Sequence, residues 1–339
     1  MTRTFQILGS NGFEGAKLQI NPLKQFVMVS GLDYHDFWSF NSYAEKHKAK
    51  LLKTKNAKED FIFYMVDILV GKIRKIEIIG SKSAVETTTK FDIVDKSNYV
   101  NHYFESNGKK IISKTDIYKL IEQIGIDNPN TLVEVNVFSH AYSGGPILVN
   151  SVAGIDDKDL RMADIKNKIF DFSNFKKAFV TGGIFKIWGC QSHPPYNYLI
   201  KRVMQNPKYK KDGTTKDTDE FIVNDIAVPN HEILSKYIDT KYYTSLPNGK
   251  IKLTFLQIKK IFSDGYCANY AAWLAYYVDI TVQYSLPATY ASFGNPEVFR
   301  ISDDTKMNVS FFEKYLGLTL GELNYGIYDK ASVTKLLTP

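Results

Sequence analysis

Short apolar runs bounded by glycine, proline and polar clusters recur along the chain. This is the pattern of strands buried on both faces. The earliest run is Gln25 to Ser30, followed by an aromatic patch of Tyr34, Phe37, Trp38 and Phe40. Residues 46–60 are charged and predict a helical connector. The segment 61–80, FIFYMVDILVGKIRKIEIIG, predicts two strands that turn at Gly71-Lys72. Residues 81–110 are polar and predict no definite element. Over 113–125, Ile117, Leu120, Ile121 and Ile124 recur at helical spacing, with Ser113 or Thr115 as cap and Gly125 as stop. Leu132, Val133, Val135, Val137 and Phe138 then predict a strand ending at Ser139-His140. Ile184 to Trp188 predicts another, ending at Gly189-Cys190, and Pro194-Pro195 sharpens the exit before a helix over 197–205.

Residues 206–250 are rich in Lys, Asp, Thr and Asn, and 206–220 predicts an exposed loop. Two helices are expected within 253–278, the second with Tyr270, Trp273, Leu274 and Tyr277 on one face. A strand and a proline-containing loop follow over 280–294, and FFEKYLGLTL (311–320) predicts a last helix. Strands alternating with helices give the α/β class, a mostly parallel sheet sandwiched by helices with additional N-terminal β-structure. Residues 1–59 are expected as an N-terminal extension and 60–339 as the α/β domain, with 206–250 inserted. Sites in open α/β sheets lie at the carboxyl ends of strands. His140, Cys190 and the loop after Val282, which includes Ser285, all fall there.

Composition narrows the class. Hydrophobic residues at 44% and charged residues at 23% belong to a globular chain, not a disordered one. Two cysteines are too few for a disulfide-stapled scaffold or a four-cysteine zinc module. No run of about 18 apolar residues predicts a membrane span. The first 25 residues lack the continuous apolar stretch of a secretory signal. A cytoplasmic location, or export without a cleavable signal, is therefore expected. The net charge of +7 is spread over lysines, as in 46–58 and 208–216, and reads as a solvated surface. No nucleic-acid motif is visible, and no cofactor is called for.

The candidate chemistry lies in the two strand ends. A cysteine nucleophile needs a partner that takes its proton or later protonates the leaving group, and histidine titrates near neutrality. His140 ends one apolar strand and Cys190 ends the next, about 50 residues later, the order and spacing known for caspases. With VNVFSHA (135–141) and FKIWGC (185–190), the chain resembles the caspase-like cysteine peptidases (clan CD), among them caspases, gingipains, legumain and separase. The segment 266–293 is similar to the clan's later helix, strand and pocket loop. The resemblance spans roughly residues 60–300. It implies a cysteine endopeptidase in which Cys190 attacks a peptide carbonyl and His140 protonates the leaving amine. Backbone N–H groups of Cys190 and Ala141 would form the oxyanion hole. Ser143, Gly144, His193 and Ser285 would stand near the substrate. Ala141 replaces the clan's usual glycine, so a positive φ there would be strained. A protein or peptide substrate, a self-processing step in 210–220 and an activating or inhibiting protein partner are further expectations.

Other constellations compete. Ala141-Tyr142-Ser143-Gly144-Gly145 matches a variant nucleophile elbow of a serine α/β-hydrolase, with His193 or His231 as the later base. Cys190, His193 and His140 could supply three zinc ligands, but no fourth is apparent and the two prolines disfavour it, so no metal is expected. Cys267 near a helix start could suggest a papain-like nucleophile, yet no histidine follows residue 231, and it reads as packing. A non-catalytic α/β interaction module or secreted effector scaffold fits the same composition.

Overall fold

A computed structural model of the chain describes residues 22–191, 193–225, 233–292 and 299–337. The strands of the central sheet, with the hairpin that follows one of them, are β1 (Leu23–Ser30), β2 (Asp60–Asp67), β3 (Lys72–Ile79), β4 (Val85–Lys90), β5 (Leu132–Phe138), the hairpin β6 (His140–Tyr142) and β7 (Gly145–Ile147), β8 (Phe179–Trp188), β9 (Thr281–Tyr284) and β10 (Gly326–Tyr328). The eight-stranded sheet runs β10-β9-β8-β5-β1-β2-β3-β4. Its middle five strands are mutually parallel, and β10 on one side and β3–β4 on the other are antiparallel. This mostly parallel sheet flanked by helices is the α/β architecture the sequence predicts.

The expected boundary at 59/60 cuts through the core. β1 lies between β5 and β2, and its successive residues Phe26, Val27, Met28 and Val29 are all buried. Consecutive burial means that both faces are covered, as parallel strands require. Each such side chain contributes about 1.5–3 kcal/mol. The segment 23–52 is thus the centre of the domain, with helix α1 (Asn41–Leu52) packed over β1, β2 and β5.

Other expectations shift in detail. The predicted helix stop at Gly125 is not one, because α2 runs Lys114–Asp127 through it. A Cβ on Gly125 would sit 1.8 Å from the carbonyl oxygen of Asn174, so the glycine permits close approach of α4 (Phe172–Ala178), which follows the short α3 (Met162–Lys166). β8 begins five residues earlier than the apolar run suggests, because a bulge lets Phe179 pair again with Leu132. The inserted 206–250 region is not a plain loop. It contributes the strands Glu220–Asn224 and Thr244–Leu246, which pair with Lys250–Thr254. Thr215 is buried against Tyr315, their hydroxyls 2.7 Å apart, so 206–220 is partly packed down. Helix α5 (Pro194–Gln205) starts at the two prolines, which suit the first helical turn. Helix α6 is Phe255–Cys267 and α7 is Tyr270–Trp273, continued by a π-helical turn over Leu274–Val278. That wider turn breaks the predicted face: Tyr270 and Leu274 are buried while Tyr277 is exposed. Helix α8 (Asp303–Leu316) starts earlier than the apolar pattern and ends at Gly317 with φ +63. Among the described residues no helix is long and apolar enough to cross a membrane.

Candidate active site

β5 and β8 are adjacent and parallel, and their last paired residues are Phe138 and Trp188. Two residues further along each strand come His140 and Cys190, so both leave the same edge of the sheet from neighbouring strands about 4.8 Å apart. Two glycines let the strand ends close up. A Cβ on Gly189 would lie 2.6 Å from Ala141 Cβ and 2.8 Å from Ser139 O. A Cβ on Gly31, just past β1, would lie 2.9 Å from Ser139 Cβ. Three strand ends therefore converge around Ser139, and the buried hydroxyl of Tyr284 spans two of the exits. It sits 2.6 Å from the carbonyl oxygen of Tyr142 and 3.2 Å from that of Cys190.

The imidazole of His140 is half-buried against Tyr34, His35 and Phe40, with ring centroids 5.3, 6.0 and 5.5 Å away. Its Nε2 lies 3.4 Å from Oδ2 of Asp33, a buried carboxylate whose other oxygen accepts the N–H groups of His35 (2.9 Å) and Asp36 (3.2 Å). Burial is the largest influence on His140 and pulls its pKa below the ordinary value. Asp33 opposes that pull, and His35 adds to it. The Cys190 sulfur receives the backbone N–H of Ala291 at 3.2 Å. That bond favours the thiolate, but burial outweighs it and pushes the thiol pKa up. The shifts are opposite in direction, and each favours the uncharged form of its group.

Ala141 is buried beside Gly189, and it is not among the residues with positive φ, so alanine stands there without the strain expected of it. Ser143 and Gly144 form the tip of the β6–β7 hairpin. Their carbonyl oxygens accept the N–H groups of Tyr270 (2.9 Å) and Met162 (3.0 Å), which dock the hairpin on its neighbours. Ser143 is exposed and leads into a strand, not a helix, so the strand–turn–helix of a nucleophile elbow is not formed. His231, one possible base for that reading, lies outside the described residues. His193 caps α5 and packs between Tyr196 and Tyr237, at 4.5 and 4.9 Å. Ser285 follows β9. It is fully buried, and its carbonyl oxygen accepts from Gln191 Nε2 and the Tyr328 hydroxyl, each at 3.0 Å. Cys267 closes α6 instead of opening a helix, and burial pushes its thiol up to about 11. Among the described residues no group of three or more His, Cys, Asp or Glu is placed to hold a metal.

No protein-family model and no curated protein matches the chain. Among solved structures, it is similar to a secreted C11 cysteine protease from Bacteroides thetaiotaomicron in complex with an irreversible peptide inhibitor. The identity is 11% and the TM-score 0.28, over 73% of this chain and 59% of that one. It is also similar to a second structure of a secreted C11 cysteine protease from Bacteroides thetaiotaomicron, "iotapain", at 12% identity and TM-score 0.26, over 88% of this chain and 72% of that one.

Asp33, Tyr34, Tyr284 and Ala291 are the neighbours of the strand-end pair that sequence reasoning passed over. For Asp33 a signal existed. The run Val29-Ser30-Gly31-Leu32-Asp33 has the same order of apolar strand, glycine and functional group as Trp188-Gly189-Cys190. For Tyr284 and Ala291 no local pattern distinguishes them, because each acts through a contact about 100 residues away in sequence.

Proposed function

We propose that the protein is a cysteine endopeptidase in which Cys190 is the nucleophile and His140 the acid–base partner. The observation that carries this reading is the register Phe138–Trp188 between two adjacent parallel strands, which sends a histidine and a cysteine out of one sheet edge. His140 takes the proton from the Cys190 thiol, and the sulfur forms a bond to the peptide carbonyl carbon. The developing oxyanion is received by the backbone N–H groups of Cys190 and Ala141, each such donor being worth about 3–4 kcal/mol in other enzymes. The imidazolium then gives its proton to the leaving amine, the C–N bond breaks, and water hydrolyses the thioester. Asp33 holds Nε2 and stabilises the imidazolium while it exists. Because burial favours the neutral pair, the ionised state is reached when substrate arrives, with the Ala291 N–H on the sulfur favouring the thiolate. A peptide or protein substrate follows from the reading, and self-processing or an activating partner are further parts of it.

The second reading is a non-catalytic α/β interaction module, favoured by the seating of the thiol against the Ala291 backbone. Alkylation by iodoacetamide followed by mass spectrometry separates the two, together with hydrolysis of a fluorogenic peptide library. The peptidase reading expects Cys190 to be modified faster than Cys267, His140→Ala to abolish that preference, and Cys190→Ala to abolish hydrolysis. Equal labelling of both cysteines, with no peptide cut by the wild type, would leave the scaffold reading.

A further inference from the structure

Beside His140 opens a cavity of about 480 Å³, a volume in the range of small-ligand sites. The β6–β7 hairpin places it there. His140 pairs with Ile147 and Tyr142 with Gly145. Directly opposed residues of an antiparallel pair share a face, and so do residues two apart on one strand. His140, Tyr142 and Ile147 therefore stand on one face of the hairpin, while Ala141 faces the other way, buried beside Gly189. Tyr142 and Ile147 line the cavity, and Tyr103, Val152 and Ala153 continue the wall. No described residue of β8, β9 or the loops after them contributes to it, so the cavity flanks the strand-end pair on the histidine side.

The rings of the wall are fixed from behind. The turn that carries Tyr103 is clipped in place by Asn150, whose Nδ2 donates to the His102 carbonyl oxygen at 2.8 Å and whose own carbonyl oxygen accepts the Phe104 N–H at 3.0 Å. Arg161 Nη1 donates to the Tyr142 hydroxyl at 2.6 Å. The Tyr142 ring lies back over Gly144, where a Cβ would come within 2.5 Å of it. The floor is charged but balanced. Asp159 is 1% exposed, and its oxygens accept the N–H groups of Leu148 (2.6 Å), Val149 (2.9 Å) and Ser151 (2.7 Å). The Arg161 guanidinium meets Asp157 at 2.7 Å and Asp159 at 3.3 Å, and Lys114 takes the other oxygen of Asp157 at 2.6 Å. The charges are thus matched within the protein, and the remaining wall is mainly aromatic and aliphatic. Tyr34 links the cavity to the strand-end pair. Its ring centroid is 5.3 Å from that of His140. Burial, and then the charges of Asp33, Asp159, Tyr103 and Cys190, raise its pKa, so the phenol is within electrostatic reach of wall and sulfur alike.

We propose that this cavity is the subsite for the first residue after the scissile bond, and that it selects a large uncharged side chain, aromatic or long aliphatic. The inference rests on the peptidase reading, in which His140 gives its proton to the leaving nitrogen. The residue that bears this nitrogen lies over His140, so its side chain meets the hairpin face that Tyr142 and Ile147 share with the histidine. A phenylalanine or leucine side chain there buries apolar area against Tyr103, Tyr142 and Ile147. A charged side chain would lose hydration beside groups already paired with one another.

The test is digestion of a proteome-derived peptide mixture by the full chain, with the cut sites read by mass spectrometry. Corrected for abundance, cuts followed by Phe, Tyr, Leu or Met should outnumber those followed by Asp, Glu, Lys or Arg by about tenfold or more. Ala153→Trp, at an exposed position, should fill the cavity and lower the ratio of cuts before Phe or Tyr to cuts before Gly or Ala by about tenfold within one digest. Should Ala153→Trp fail to fold by circular dichroism, Tyr103→Ala, which removes one exposed wall, decides alone: a several-fold drop in the ratio supports the subsite and an unchanged ratio refutes it. Cys190-dependent hydrolysis with no preference at the first residue after the cut, or with a preference that Ala153→Trp leaves unchanged, overturns the subsite and spares the peptidase reading. Absence of any hydrolysis that Cys190→Ala abolishes overturns the peptidase reading, and the subsite falls with it.

Discussion

Gly189→Ala is the sharpest probe of the strand-end arrangement. The added Cβ would meet Ala141 Cβ at 2.6 Å, Ser139 O at 2.8 Å and Ala141 N at 3.2 Å. Non-bonded carbons settle at about 3.5–4 Å, so β5 and β8 must part by roughly 1 Å at their ends. Overpacking of this kind costs about 1–3 kcal/mol of stability. For a site built across the gap, a misplacement of about 1 Å costs on the order of a hundredfold in rate. The variant should therefore remain folded, with a melting temperature a few degrees lower, while peptide hydrolysis falls about a hundredfold. The double variant Gly189→Ala/Ala141→Gly removes the nearest clash and leaves the one with Ser139 O, so about tenfold of the loss should return. Hydrolysis and the alkylation rate of Cys190 give two independent readouts, with thermal denaturation as the control. If Gly189→Ala works at the wild-type rate, the reacting groups do not meet across these two strand ends, and the reasoning is refuted.

Asp33→Asn keeps the shape at His140 but removes the carboxylate that opposes its downward pKa shift. Hydrolysis should fall about 10- to 100-fold with little change in KM, and the acid limb of the rate profile should move to lower pH; an unmoved limb would dismiss Asp33 as a positioning residue. Glu134, held at about 2 by His47 and Lys186 against its burial, contributes stability that is complete above the ordinary carboxylate value of 4.5 and is lost as pH falls toward 2. Glu134→Gln should cost about 3 kcal/mol at pH 7, read by urea denaturation, and should flatten the loss of stability between pH 4.5 and 2.

Much of the fold was legible in the order of the residues. Runs such as Val27-Met28-Val29 and Phe61-Ile62-Phe63 are apolar at consecutive positions, and only a strand covered on both faces buries them, which sets a parallel sheet with helices on either side. A polar, reactive residue directly after such a run has to emerge at the carboxyl edge, and that made His140 and Cys190 candidates before any geometry was known. The tertiary structure decided what depends on which strands become neighbours. It put residues 23–30 at the centre of the sheet instead of outside it, brought Asp33 to His140 and Ala291 to the Cys190 sulfur, and hid Ser285. It also gave Gly125 and Gly189 their purpose, since each makes room for a backbone far away in sequence. Periodicity reports the solvent exposure of one segment at a time. Close approach, burial of a charge and the protonation state of a thiol are properties of two or more segments together, and they come into being only when the chain is packed.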